Sequence, residues 1–174
     1  MLAVRKNGAC GILRHCNFYV DINLYSDMAK GKPVPFETTL HVRDTCLCLH
    51  VQRAARSLAR RFDEALRPAG ITSGQFSLMM SLNRPAPPTM KDVAELLAMD
   101  RTTLTAALKV VERNGWVKIM PDRSDKRSKR LSLTAEGEAV LARAVPIWKA
   151  THAEIDAALP DGGEALRAGL MALV

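Results

Sequence analysis

The sequence predicts a mainly α-helical protein with one small β-hairpin. From about residue 51 onward, apolar residues recur at three- and four-residue steps, which is the period of an amphipathic helix. Aromatic residues are only 5% of the chain, whereas alanine, leucine and arginine, all good helix formers, are abundant. The exception is two short alternating runs, at residues 116–120 and 130–133, which predict a pair of strands.

Composition sets the broad class. At 174 residues the chain fits one domain, and with 48% apolar residues it has enough material for a core. Its net charge of +7 favours an anionic partner. We expect no membrane contact, because no apolar run is long enough to span a bilayer. Since His15, Asn17 and Asp21 interrupt the N-terminal segment, we also expect no signal peptide and a cytoplasmic protein. The four cysteines, Cys10, Cys16, Cys46 and Cys48, are then expected to be reduced thiols.

The chain begins with a segment that differs from the rest. Residues 1–43 are predicted to form an N-terminal extension or arm, because Lys30–Pro35 reads as a linker without hydrophobic period. Residues 44–68 are predicted to form the first long helix. Its apolar stripe consists of Val51, Ala54, Ala55, Leu58 and Phe62.

Three shorter helices follow, each opened by a capping residue. Thr72 and Gln75 form a capping box, Thr89 begins a second helix, and Asp100 caps a third that ends at Asn114 and Gly115. Because the last two helices are joined by a tight turn, they form a helix-turn-helix.

The two predicted strands enclose a strongly basic tip, residues 121–129, and together they form a hairpin that we call the wing. Thr134 then caps a long helix from Ala135 to about Leu159, which Pro146 should kink. A final short helix is expected to turn Leu166, Leu170 and Leu173 inward. The predicted architecture is a winged helix-turn-helix lobe, residues 69–137, with helical regions on either side.

In this order and spacing, these elements resemble the MarR family of winged-helix transcriptional regulators. The motifs that carry the resemblance are Gly70–Phe76, Val93–Leu97, Val111–Val117, Asp125–Arg130 and Leu131–Gly137. The resemblance implies an obligate homodimer built from residues 44–68 and 138–174. It also implies a repressor that binds a pseudo-palindromic operator in double-stranded DNA and is controlled by a small ligand or by oxidation.

Helices of this kind place their first turns against base edges in the major groove. The predicted recognition helix offers Arg101 for guanine, threonines for bases or phosphates, and Lys109 for a phosphate. The predicted contacts on this helix are Arg101, Thr102, Thr103, Thr105 and Lys109. The alternative is that the threonines are ordinary exposed helix surface.

The basic tip predicts contacts with the DNA backbone. By match to the family wing, Arg127 enters the minor groove and Asp125 holds it through an ion pair. Phosphate contacts are predicted for Lys126, Lys129 and Arg130. The alternative is a solvated run of charge.

A small aromatic carboxylate is one candidate effector, since the family binds such ligands between the dimer helices and the DNA-binding lobe. The residues expected at that junction are His50, Arg53, Arg56, Phe76, Met79 and Met80. Arginine beside flexible methionine suits such a ligand. The alternative is a solvated face beside ordinary core.

Peroxide is the other candidate effector. Cys48 falls where the hydroperoxide sensors of this family carry their reactive cysteine, and Gln52 and Phe62 stand where those sensors have tyrosines. Gln52 is able to donate a hydrogen bond to the sulfur, but Phe62 is not. The alternative is a cysteine that packs as a small apolar residue.

The sequence gives less support to other classes of protein, namely a metal-binding protein, an enzyme or a protein-interaction module. We expect no metal among Cys46, Cys48 and His50, because residues two apart on a helix point to nearly opposite faces. No cofactor is expected. The sequence shows no phosphate loop or nucleophile–base pair, so we expect no enzyme. A winged helix that contacts protein instead of DNA is the remaining alternative, and the basic tip counts against it.

Overall fold

A computed structural model describes residues 33–122 and 128–174 and divides the chain into two units, residues 1–47 and 48–174. In the first unit, helix α1 spans Phe36–Thr45 and buries none of its residues. Local charges stabilise this helix, because Glu37 lies in its first turn and Arg43 in its last turn, where each interacts favourably with the helix dipole.

The prediction of one helix starting at residue 44 is wrong. Helix α1 ends at Thr45, Cys46 has extended backbone (φ −72°, ψ 104°), and helix α2 spans Leu47–Leu66. The Thr45 hydroxyl donates to the His41 carbonyl at 2.7 Å, a type of bond that tends to bend helices. Cys46 and Cys48 therefore do not share a helix, and the geometric argument about their directions does not apply to them.

Three capped helices form the centre of the second unit. They are α3 (Ser73–Leu82), α4 (Met90–Leu96) and α5 (Arg101–Arg113). The predicted capping box is confirmed: the Thr72 amide donates to Gln75 Oε1 at 2.9 Å, and the Gln75 amide donates to Thr72 Oγ1 at 3.3 Å. Thr89 and Asp92 form a second such box at the start of α4. Each box satisfies two amides that the helix leaves unpaired.

The turn between α4 and α5 is tight because Ala98 adopts a positive φ of 49°. The Met99 amide donates to the Ala94 carbonyl at 2.9 Å, which closes the turn. Such a turn, followed directly by a capped helix, is the helix-turn-helix that the sequence predicted.

The wing is an antiparallel hairpin of β1 (Val117–Pro121) and β2 (Lys129–Leu133). Val117 pairs with Leu133 and Ile119 with Leu131, so the apolar side chains share one face. The Leu131 amide donates to the Pro88 carbonyl at 3.0 Å, which joins the hairpin to the loop before α4.

Helix α6 (Ala135–Ala157) follows the hairpin and begins, as predicted, at a Thr134 cap. Its first turn lies very close to Trp116. A Cβ added at Gly137 would stand 2.1 Å from the Trp116 carbonyl oxygen, so only glycine fits there. After a 3₁₀ turn (Pro160–Gly163), helix α7 spans Glu164–Met171.

The core lies in the helix-turn-helix lobe. It joins the end of α2 to α3, α4, α5, the hairpin and the first half of α6. The largest fully buried side chains are those of Leu66, Leu78, Met79, Leu104, Leu108, Leu131, Val93, Val111 and Val140.

The apolar residues of α7 do not face this core. Leu166, Leu170 and Leu173 were predicted to point inward, but each is exposed in the single chain. The prediction is wrong for the single chain, because α7 packs mainly against the 3₁₀ turn before it and leaves these leucines exposed. Within the described ranges, no helix has the length and apolarity needed to cross a membrane.

Candidate nucleic-acid interface

Helix α5 presents one exposed face while its opposite face is fixed in the core. Leu104, Leu108 and Val111 are buried, at 0–1% exposure. Arg101, Thr105 and Lys109 recur at four-residue steps and are exposed, so they form a ridge along the outer side of the helix. A cation therefore stands at each end of the ridge, about 12 Å apart along the axis at 1.5 Å per residue.

The ridge has a depression on each side. The three ridge residues line a shallow hollow together with Thr102 and Ala106. They also line a wider groove that reaches Ala94 on α4, Ile119 on β1 and Lys129 on β2. The predicted contact residues of α5 are thus brought to one surface that continues to the hairpin.

Asp100 fixes the start of this helix. Its Oδ1 accepts hydrogen bonds from the amides of Thr102 (2.8 Å) and Thr103 (2.9 Å), and its Oδ2 accepts one from the Thr103 hydroxyl (2.5 Å). These bonds, led by that of the Thr103 hydroxyl, hold the pKa of Asp100 below its usual range. The charged carboxylate therefore caps α5 at neutral pH.

The three threonines differ in what they present. The Thr103 hydroxyl proton is used on Asp100, and the Thr105 hydroxyl donates to the Arg101 carbonyl at 2.7 Å. Thr105 therefore turns its hydroxyl proton inward. Within residues 33–122 and 128–174, the structure gives the Thr102 hydroxyl no hydrogen-bond partner. Thr102 is the threonine whose hydroxyl is ready to donate outward.

The wing divides into a tip outside the described residues and a base within them. Asp125, Lys126 and Arg127 lie outside the described residues. Lys129 is exposed beside the groove. Arg130, for which a phosphate contact is predicted, directs Nε to the Asp122 carboxylate and Nη1 to the Pro87 carbonyl at 3.0 Å.

Asp122 was not singled out from the sequence. Its side chain is only 6% exposed, so Arg130 provides charge to a buried carboxylate. A signal was present: an acidic residue directly after β1 and a basic residue in the opposite strand, at the narrow base of a hairpin.

The residues expected to hold a small ligand lie in two settings. Phe76 and Met79 are buried in the core and Met80 packs against it, whereas His50, Arg53 and Arg56 are exposed on α2. Phe76 stacks on Trp148 with ring centroids 5.9 Å apart, and Trp148 lies 4.8 Å from His152. The sequence interpretation missed Trp148 and His152, although both lie on the apolar stripe of α6.

Cys48 is an exposed free cysteine near the start of α2. The Gln52 amide nitrogen donates to its sulfur at 3.1 Å, and Arg56 donates to Gln52 Oε1 at 2.9 Å. The donor predicted for this sulfur is therefore present. Among the described residues, no group of three or more metal-ligating side chains converges.

Comparison with known proteins places these features in a family. Residues 71–129 match the model of the MarR family. The chain is 30% identical over 101 residues to the organic hydroperoxide resistance transcriptional regulator of Bacillus subtilis, covering 58% of this chain and 69% of that protein. It is 35% identical over 88 residues to the uncharacterized HTH-type transcriptional regulator YwoH of the same organism, covering 51% of this chain and 64% of YwoH. For the first three curated relatives that it matches, this chain spans 55–64% of their length.

A solved structure agrees over most of the chain. The crystal structure of the M. tuberculosis transcriptional regulator MosR in complex with DNA is 40% identical, with a TM-score of 0.68. The match covers 74% of this chain and 92% of the MosR chain. The fold class predicted from the sequence, mainly α with a hairpin wing, is confirmed.

Proposed function

This chain belongs to the MarR family of transcriptional regulators, and on that premise we propose that it is a homodimeric repressor of a pseudo-palindromic operator. Each protomer reads one half-site in the major groove with α5 and follows the backbone with its wing. A small organic ligand releases the DNA.

The ridge on α5 carries this proposal. Arg101 and Lys109 stand exposed on a helix whose other side is locked into the core by Leu104 and Leu108. A cation on a rigid helix is suited to hold guanine or phosphate. MosR, 40% identical to this chain, is described in complex with DNA.

The tip of the wing supplies the second contact in this proposal. Arg127 enters the minor groove, Asp125 holds it, and Lys126, Lys129 and Arg130 contact phosphates. Arg130 and Asp122 form an ion pair at the base of the hairpin. Substitution of Arg127 by alanine should lower the slope of log affinity against log salt by about one, whatever the operator.

The dimer is supported by apolar surface that the single chain leaves uncovered. Leu58 on α2 and Leu166 and Leu170 on α7 are all exposed. Exposed leucines on two amphipathic helices are typical of a surface that a second protein covers. We therefore assign dimerisation to residues 44–68 and 138–174.

Fluorescence anisotropy with duplexes enriched from a random library tests DNA recognition. Arg101→Ala should weaken binding at least about fivefold, because one bidentate base contact contributes about 1–3 kcal/mol. The matched control is Arg84→Ala, which removes an exposed arginine outside both the α5 ridge and the proposed dimer regions. If no duplex is enriched at low salt, the proposal fails and the alternative of a protein-interaction module is favoured.

For the released state, we propose a small aromatic carboxylate as effector. The rings of Phe62, Trp148 and His152 form a half-buried cluster in the second unit, and Arg53 is an exposed cation on α2. Benzoate is the simplest probe. It should release the enriched duplex from the wild type, and Arg53→Ala should need more benzoate. Failure of benzoate to release DNA at millimolar concentration contradicts this part alone.

A second candidate function is peroxide sensing through Cys48. The observation in its favour is the hydrogen bond that Gln52 donates to the Cys48 sulfur. The hydroperoxide sensors that the sequence resembles likewise place hydrogen-bond donors beside their reactive cysteine. Hydrogen peroxide or an organic hydroperoxide should release DNA from the wild type but not from Cys48→Ser. Equal release from both proteins would eliminate this candidate.

A further inference from the structure

We propose that Ala106 determines sequence specificity by receiving the C5-methyl group of a thymine in each half-site. This inference rests on the proposed function, since it concerns the DNA that α5 contacts. It concerns the hollow beside the ridge, which is lined by Arg101, Thr102, Thr105, Ala106 and Lys109.

The hollow has an apolar floor. Ala106 is exposed and carries only a methyl group, while longer side chains stand around it. Because the Thr105 hydroxyl proton is used on the Arg101 carbonyl at 2.7 Å, Thr105 adds its methyl group to the apolar lining rather than an outward donor. The floor thus offers no hydrogen-bond donor of its own to a base edge; only the acceptor lone pairs of the Thr105 oxygen remain.

The rim of the hollow is charged. Arg101 and Lys109 stand at its two ends, and both are exposed. Cations at this spacing favour approach of the DNA backbone and of guanine, and they bring the apolar floor against the bases between. The thymine methyl is the apolar group that bases display in the major groove, so it is the group that matches this floor.

Arg101 and Ala106 are five residues apart, which is about 7.5 Å along the helix axis. At about 3.4 Å per base pair this is roughly two steps. We therefore expect the methyl-dependent thymine to lie within about two base pairs of the base that depends on Arg101.

The test replaces each thymine of a duplex enriched from a random library by deoxyuridine, which removes only the methyl group. Affinity of the full chain is measured by anisotropy at one fixed salt concentration. One position in each half-site should lose about fourfold in affinity, as burial of one methyl group predicts. Ala106→Gln, a good helix former that fills the hollow, should bind the thymine and deoxyuridine duplexes equally.

Two further variants complete the experiment. Ala106→Gly removes the methyl floor without adding bulk. It should reduce the difference in affinity between the thymine and deoxyuridine duplexes to less than twofold, and this result can be read even if Ala106→Gln abolishes binding. Ala135→Gln changes an exposed alanine on α6, outside the proposed dimer regions, in the same way. It should keep the wild-type ratio of the affinities for the thymine and deoxyuridine duplexes.

The failures are distinguishable. If no duplex is enriched, the proposed function fails. If a duplex binds but deoxyuridine costs nothing at any thymine, only the role of Ala106 is overturned. The role of Ala106 is also overturned if both Ala106 variants keep the wild-type ratio of the affinities for the thymine and deoxyuridine duplexes.

Discussion

At the scale of single residues, Arg130 and Asp122 anchor the base of the wing. Arg130 bonds the buried Asp122 carboxylate and also the Pro87 carbonyl in the loop before α4. A single side chain therefore connects the hairpin to the helix-turn-helix. Its role as a direct phosphate contact stays a prediction, but the structure shows where its donors are already used.

Arg130→Ala should destabilise the fold by about 1–3 kcal/mol, because it removes a charged partner from a carboxylate that is 6% exposed. Urea denaturation checks this value. The neighbouring Lys129→Ala is the control. It should change the free energy of unfolding by less than about 0.5 kcal/mol, yet lower the salt dependence of DNA binding. Equal stability of the two variants would show that the ion pair contributes nothing.

Asp100 gives a prediction about pH. Since its folded-state pKa is lowered, chiefly by the Thr103 hydroxyl, its carboxylate stabilises the fold above the ordinary pKa of 3.8. That contribution is lost as pH falls below 3.8 towards the lowered value. Asp100→Ala should therefore have a lower urea midpoint than the wild type at pH 7, and the difference should shrink at pH 3.

The matched control is Asp100→Asn, which keeps a good capping oxygen without a titrating charge. Its advantage over Asp100→Ala should not change between pH 7 and pH 3. A wild-type advantage over Asp100→Ala of the same size at both values would contradict the assigned role of the charge.

At the scale of elements, the sequence was most informative where structure is decided locally. The caps at Thr72, Thr89, Asp100 and Thr134 depend on residues at most three positions away, so their pattern is visible in the sequence. The break between α1 and α2 at Cys46 was not visible in the sequence, because the residues around it also suit a continuous helix. The approach of Gly137 to Trp116 depends on tertiary packing, which no local pattern displays.

Gly137→Ala tests that approach. The new Cβ would stand 2.1 Å from the Trp116 carbonyl oxygen, and backbone on both sides resists movement. We expect a loss of about 1–3 kcal/mol or more in the free energy of unfolding. Gly74→Ala on α3 is the control, since an added Cβ there meets nothing within 4 Å. It should be neutral or slightly stabilising. Similar losses in both variants would contradict the packing described.

At the scale of the whole molecule, the sequence was sufficient to predict the winged helix-turn-helix lobe. It was less informative about the surfaces that contact a partner. Periodicity placed the helices, and a basic tip between two strands indicated the wing. The predicted inward orientation of Leu166 and Leu170 was wrong for a single chain. A hydrophobic period indicates that one face of a helix is apolar, but it does not identify the surface that covers this face. Arg130 was assigned by charge alone, since its partner Asp122 is brought to it by the hairpin.

Leu58→Glu tests the proposed dimer. Leu58 is 42% exposed on α2, and a charge there should convert the dimer to a monomer if a second copy covers it. Sedimentation velocity measures the change. Leu96→Glu is the control, because Leu96 is 57% exposed but lies on α4, outside the proposed dimer regions. A Leu58→Glu protein that still sediments as a dimer would contradict the assignment.

In the proposed complex, two copies of α5 read two related half-sites. Hydroxyl-radical footprinting of the full chain on an enriched duplex measures this directly. We expect two symmetric protected half-sites about one helical turn, or a multiple of it, apart, both lost in Arg101→Ala. A single unpaired footprint, or protection that survives Arg101→Ala unchanged, would contradict it.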